Sequence, residues 1–380
     1  MKDISIYFKS VENNERWKET QLGAYVQWNG EAFPALKRKS CALFCVNENR
    51  GAGSNKTVDF TAFRDRFYSL HVGRDWDSPI YDLGEILPGK EIKDTYFALS
   101  NVVTELVKKD IIPIIVGGSQ DLIYSVYKGY QQLEQMVNMC SVDYTFDLGS
   151  FEKEVNSKGY LSQIMMERPC YLFNNANIGL QAPYADKKEF ELFEKLYFDV
   201  CRLGEFNSDF KVAEPHLRNA DIVNIDFGAI RCSELNDSSL NPNGFYSDQI
   251  CQIARYAGIS DKVTSFGVFN TMLDNASKSS LLAEIIWYFI DGITARKGDF
   301  PIGSKNGYKK FSVVLEQQGF ELIFYKSHKS GRWWMEVPYP PSKSRQYERH
   351  VLVPCNKLDY ENAMKNEIPD LWWKTYHKLS

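Results

Sequence analysis

Apolar and polar residues change rhythm twice along the chain. From Cys41 to Val46 a run of mostly apolar side chains enters the polar, glycine-containing segment Asn47 to Asn55, the pattern of a buried strand opening into a surface loop. Two helical tracts follow. In the clearer one Tyr96, Leu99, Val103 and Leu106 recur at spacings of three and four, which puts them on one helix face, and Lys108 and Lys109 lie in the last turn, where cations suit the dipole. Ile111 to Val116 is continuously apolar and ends at Gly117-Gly118, as a strand buried on both faces does.

The alternation continues. Strands are predicted at Met139 to Val142, Ala176 to Leu180, Ile222 to Ile225 and Lys262 to Phe269, and helices at Glu189 to Leu203, Tyr246 to Tyr256 and Ser279 to Ala295. Strand then helix, repeated, implies an α/β fold with a mainly parallel sheet covered on both sides. After about residue 300 the pattern changes: Phe320 to Lys326 and Arg332 to Val337 flank a polar Ser-His-Lys-Ser-Gly segment, the signature of an antiparallel hairpin, and Pro338, Pro340 and Pro341 then break the chain. The expected organisation is an N-terminal segment (1–37), an α/β domain (38–298) and a hairpin-containing C-terminal extension (299–380).

Composition narrows the function classes. With 44% hydrophobic and 25% charged residues among 380, the chain is an ordinary globular one, and extended disorder, collagen and coiled coil are excluded. Forty-five basic against 49 acidic side chains give a net charge of -4 with no like-charge block, so no nucleic-acid partner is expected. The start, Met-Lys-Asp-Ile-Ser-Ile, lacks the apolar core of a signal peptide. The most apolar later stretch, Leu281 to Ile290, is short and carries Glu284, so no transmembrane segment and a cytoplasmic location are expected. Eight cysteines without a Cys-x-x-Cys pair read as reduced, buried thiols, with Cys41 and Cys45 on one strand face. Histidines number only five: His71, His216, His328, His350 and His377.

In open parallel sheets ligands bind beyond the carboxyl ends of the strands. Three strand ends carry chemistry: Gly117-Gly118-Ser119-Gln120-Asp121, Asp143-Tyr144-Thr145-Phe146-Asp147 and Asp226-Phe227-Gly228, so Asp143, Asp147 and Asp226 are expected at one rim. An apolar strand into Gly-Gly, a strand into Asp-x-x-x-Asp and a strand into Asp-x-Gly, in that order, resemble the ureohydrolase superfamily of arginases, agmatinases and formimidoylglutamases over about residues 38 to 298. Asp82-Leu83-Gly84-Glu85 resembles the family's Asp-Leu-Gly-Asp stretch. Asn243-Gly244-Phe245-Tyr246, followed by Cys251 to Gly258, is most similar to formimidoylglutamase-like members.

The resemblance implies a three-layer arginase-like fold and, in the family, hydrolysis of an amidino carbon by a hydroxide bridging two Mn²⁺ ions. The family's ligands are a His in Gly-Gly-Asp-His, an Asp-x-His-x-Asp set and an Asp-x-Asp pair. Carried over residue by residue, the first His falls on Gln120 and its preceding Asp on Ser119. Asp143 and Asp147 match two carboxylates, the His between them falls on Thr145, Asp226 matches the next aspartate, and Gly228 stands where the last would be. The family's substrate-holding glutamate falls on Val268 or Phe269, just before Asn270, and no histidine has the spacing to substitute for a lost ligand.

The leading expectation is therefore a ureohydrolase fold that has lost its binuclear manganese site: a scaffold or protein-binding subunit without catalytic residues or cofactor. Carboxylates converging without cations repel, so a raised pKa, or a neighbouring Lys, Arg or water network, is expected in place of the ions. The alternative is an amidino hydrolase using one hard cation, magnesium or manganese, on Asp143, Asp147 and Asp226. A third reading makes Val116-Gly117-Gly118-Ser119 a phosphate cradle, although it lacks the lysine of a P-loop. For a protein partner the extension offers Trp333, Trp334, Tyr339, Trp372, Trp373 and Tyr376, large rings of the kind that anchor interfaces, and packing of the tail onto the main domain is the competing use. The superfamily's trimers and hexamers imply a homo-oligomer.

Overall fold

The computed structural model describes residues 3–12, 17–149, 154–301, 304–315, 319–340 and 350–379. Pro341 lies outside them. Ten strands form the main sheet: β1 (Phe8–Lys9), β2 (Gln27–Trp28), β3 (Ser40–Val46), β4 (Ile80–Ile86), β5 (Ile111–Gly117), β6 (Val137–Val142), β7 (Leu172–Leu180), β8 (Asp199–Arg202), β9 (Ile222–Asp226) and β10 (Ser265–Phe269). Their order is β1-β4-β3-β5-β10-β9-β6-β7-β8, with β2 also on β4, and every pairing is parallel except β1 with β4.

Helices cover both faces. Beneath lie α1 (Leu22–Tyr25) and α2 (Thr61–Ser69); above lie α3 (Ile92–Lys108), α4 (Leu122–Gln131), α5 (Tyr160–Met166) and α6 (Lys187–Lys195). The lower layer is completed by α7 (Leu203–Ser208), α8 (Ala213–Asn219), α9 (Cys232–Leu235), α10 (Ser247–Ile259) and α11 (Ala276–Thr294). Strand periodicity divides the core accordingly. In β9, Val223 and Ile225 face the lower cluster and Ile222 the upper one, because successive side chains point to opposite sides. The three-layer α/β architecture expected from the sequence is the one observed.

One element differs from the sequence pattern. The helix expected over Glu189 to Leu203 stops at Lys195, and Asp199–Arg202 is the edge strand β8, paired with β7. Tyr197 breaks the helix with φ at 55°. Asp199 is then buried where Lys374 and Lys378 reach its oxygens at 3.6 and 4.0 Å, and His216 Nδ1 at 4.0 Å. Helical spacing of Phe190, Phe193 and Tyr197 could not foretell a partner more than 170 residues away.

The extension is larger than a hairpin. It is a four-stranded antiparallel sheet in the order β11 (Tyr308–Leu315), β12 (Phe320–Ser327), β13 (Trp333–Pro338), β14 (His350–Cys355), backed by α12 (Lys357–Ala363) and α13 (Asp370–Lys378). It has a core of its own, in which Trp333, Phe324, Met335 and Trp372 are buried. Arg218 of α8 joins it to the main domain. This buried guanidinium donates to the carbonyls of Trp333 (3.0 Å) and Cys355 (2.8 Å), pairs with Glu214 at 3.0 Å and stacks on the Trp334 ring at 4.5 Å.

Candidate functional site

Four neighbouring strands deliver the site: β5 ends at Gly117 before Gln120, β10 before Asn270, β9 at Asp226 and β6 before Asp143. Parallel strands put these ends on one rim, so residues up to 150 positions apart meet. Gln120, Asp143 and Asp226 are all buried.

What links them is a chain of hydrogen bonds from neutral amide donors. The Gln120 amide Nε2 donates to Asp143 Oδ2, while its Oε1 accepts from Asn270 Nδ2 at 3.0 Å. The same Asn270 NH₂ donates to Asp226 Oδ1 at 2.9 Å, which also accepts from the Gly228 N–H at 2.8 Å. Asp143 Oδ1 accepts from the Thr145 N–H at 2.9 Å. The Thr145 hydroxyl lies 3.2 Å from that oxygen and 3.0 Å from Asp147 Oδ1. Asn177 of β7 holds the loop by donating to the Thr145 carbonyl at 2.6 Å. Asn270 has φ at 57°, a left-handed backbone that asparagine tolerates better than most residues and that turns its amide back over the rim.

Burial governs the charges. It raises the pKa of Asp143, and it drives Asp147 well above the carboxylate range, helped by the charge of Asp143 beside it. Asp226 is pushed up to about 8, first by burial and then by Asp143. The neighbours that donate to Asp143 and Asp226 are the amides of Gln120 and Asn270.

A two-manganese centre does not fit this donor set. Gln120 turns an N–H, a donor, toward the carboxylate oxygen that a cation would need as an acceptor. Gly228 offers no side chain where the last aspartate would stand; a Cβ there would lie 3.2 Å from Asp226 Oδ2 and 3.4 Å from the Tyr144 ring, a tight fit. Among the described residues no group of three or more His, Cys, Asp or Glu side chains is arranged to hold a metal ion.

Other sequence expectations divide. His216 faces Asp199 on the far part of the sheet, and His350 sits 3.3 Å from Glu336 within the extension, so neither approaches the rim. The phosphate-cradle reading is corrected. The Gly118 and Ser119 N–H groups donate to the carbonyls of Val46 and Glu48, and a Cβ on Gly118 would lie 2.0 Å from Glu48 O. These glycines serve close packing. Asp82 and Glu85 are engaged by Arg64 at 2.9 and 2.8 Å, a structural pairing. The aromatic tail is mostly spent inside the chain: Trp333, Trp334 and Trp372 are buried against the extension's own core and Arg218, and of the four tryptophans only Trp373, 50% exposed, faces outward. Sequence reasoning passed over Asn270 and Asn177. The only signal was an asparagine directly after a buried strand.

Residues 61–219 match the Arginase family model. An uncharacterised 32.2 kDa protein of Methanothermus fervidus is 30% identical over 146 residues, covering 37% of this chain and 49% of that protein. The formimidoylglutamase of a Geobacillus species is 29% identical over 92 residues, covering 23% of this chain and 28% of that enzyme. The chain therefore spans half or less of the length of these curated relatives. Among solved structures, formimidoylglutamase from Bacillus subtilis superposes with a TM-score of 0.64 at 14% identity, covering 75% of this chain and 96% of that one. Residues 61–219 are thus similar to the arginase family, and the chain shares the fold of the formimidoylglutamases, extended at its C-terminus by a second, antiparallel sheet.

Proposed function

We propose that this chain is a non-catalytic arginase-family protein, a scaffold that works without the binuclear manganese centre. One observation carries the reading: the amides of Gln120 and Asn270 satisfy Asp143 and Asp226 and tie together the ends of β5, β6, β9 and β10. In a metallohydrolase the ions neutralise these carboxylates and activate water. Here neutral donors, together with protonation, do the first task, and nothing among them does the second.

Elemental analysis of the purified protein, titration calorimetry with MnCl₂, and assays on formimidoylglutamate, arginine and agmatine test the proposal together. Substoichiometric transition metal and no turnover are expected. Turnover with added Mn²⁺ that disappears in an Asp143→Ala, Asp226→Ala protein would instead establish a hydrolase on a reduced, carboxylate-only site.

The same proposal makes the protein cytoplasmic and gives the extension the task of meeting a protein partner. Among the described residues no helix is long and apolar enough to cross a membrane, and burial pushes the Cys41 thiol up to about 12, in keeping with a reduced protein. Trp373 is the indole left for a partner. Self-association, the remaining element, is read by light scattering of the eluted protein, with a trimer or hexamer expected.

A further inference from the structure

A small cavity of about 50 Å³ lies where the extension meets the main domain, away from the carboxylate rim. The main domain contributes Phe173, Asn174 and Asp199 to its walls, from β7 and β8. The extension contributes Leu371, Lys374 and Lys378, all from α13.

Two ammonium groups here share one carboxylate. Lys374 Nζ lies 3.6 Å from Asp199 Oδ1 and Lys378 Nζ 4.0 Å from Oδ2, both beyond the roughly 2.7–2.9 Å of a charge-assisted hydrogen bond. Asp199 Oδ2 instead accepts from Asn174 Nδ2 at 3.0 Å, and the short contact of Lys378 is to Asn174 Oδ1, a neutral acceptor. Neighbouring groups do not close the gap. His216 Nδ1 is 4.0 Å from Asp199, and burial lowers its pKa, which leaves it neutral at pH 7; Asp359, the next carboxylate, acts on His216. Among the described residues the balance at the cavity is therefore two positive charges against one negative, an excess of one. The Lys378 side chain is only 9% exposed. Burial pulls its ammonium down to about 8, Asp199 offsets this in part, and Lys374 adds to it. A nearly buried cation short of negative charge is costly unless an anion joins it.

Size narrows the choice of anion. A water molecule needs roughly 10–15 Å³ of such space, so a cavity of about 50 Å³ takes an ion of a few heavy atoms and has no room for a nucleotide. We propose that this cavity binds one small monovalent anion, chloride or a one-carbon carboxylate such as formate, held by Lys374 and Lys378 beside the apolar walls, and that the ion helps fasten the extension to the main domain. The site is independent of whether the carboxylate rim holds a metal, and its test leaves that question untouched.

Chlorine NMR line broadening on the full chain at pH 7, with ionic strength held by sodium gluconate, reads the site directly. Chloride should saturate a single site and formate should displace it, the tighter of the two being the ion the cavity takes; citrate, too large to enter, should not displace chloride. Lys378→Met keeps the apolar stem and removes the charge. It is expected to weaken chloride about tenfold, as the loss of one hydrogen bond to a charged group does. Lys374→Met, at a side chain 33% exposed, should weaken it severalfold and carries the test should Lys378→Met fail to fold. Chloride should also raise the Tm of the wild type saturably, and less so in either variant. Absence of saturable broadening, displacement by citrate as readily as by formate, or an affinity that neither substitution changes would each overturn the assignment.

Discussion

Replacing Asp226 by asparagine should change how stability depends on pH, in a direction the rim dictates. Asp226 is 5% exposed, and its carboxyl is raised from 3.8 to about 8 by burial and by Asp143. From pH 3.8 up to about 8 the folded protein keeps this proton while the unfolded chain has released it. The folded state therefore binds more protons, and stability falls as pH rises: the contribution is complete below the unfolded value and is lost as pH climbs to the folded one. One proton corresponds to a slope of up to about 1.4 kcal/mol per pH unit, hence about 3 kcal/mol between pH 5 and pH 7.

Asparagine keeps an oxygen for the Gly228 N–H and the Asn270 amide but carries no charge. The variant should match the wild type below pH 3.8 and gain on it steadily from there up to about pH 8. Subtracting one curve from the other cancels His216, whose burial lowers its pKa and gives stability the opposite trend near pH 6.5. Urea denaturation of both proteins at several pH values, without metal, measures the difference. A gap that stays constant from pH 5 to pH 8 would refute the reasoning. A wild type that becomes relatively more stable with pH once Mn²⁺ is added would mean that a cation, and not a proton, is the natural partner of this carboxylate.

Further outcomes follow from other contacts. Asn270→Ala deprives Gln120 and Asp226 of a donor each and should cost about 1–3 kcal/mol in urea denaturation, with no recovery on adding Mn²⁺. Arg218→Ala removes two carbonyl contacts, leaves Glu214 with Arg332 at 3.5 Å as its remaining cation and strips a cation from the Trp334 ring; about 1–3 kcal/mol should be lost in urea denaturation, read as a lower denaturation midpoint. Chelation with EDTA should leave Tm unchanged, and a drop of several degrees would contradict the proposed function.

Some of this protein is written in local order. Continuous apolar runs and period-3.6 patterns place β3, β5, β6, β9 and β10 and the helices α3, α10 and α11, because burial of both faces of a strand or one face of a helix imposes them residue by residue. Once strand ends are located, parallel topology gathers Gln120, Asp143 and Asp226 on one rim. Partners contributed from afar are another matter. That Asn270 turns back to bridge Gln120 and Asp226, that Asp199 ends a helix to join a sheet and draw Lys374 and Lys378, and that three of the four tail tryptophans face inward were decided by packing between segments 44 to 179 residues apart. Periodicity records which way a side chain must face; it carries no information on what will be waiting there, since that depends on which distant surface the whole chain brings into register.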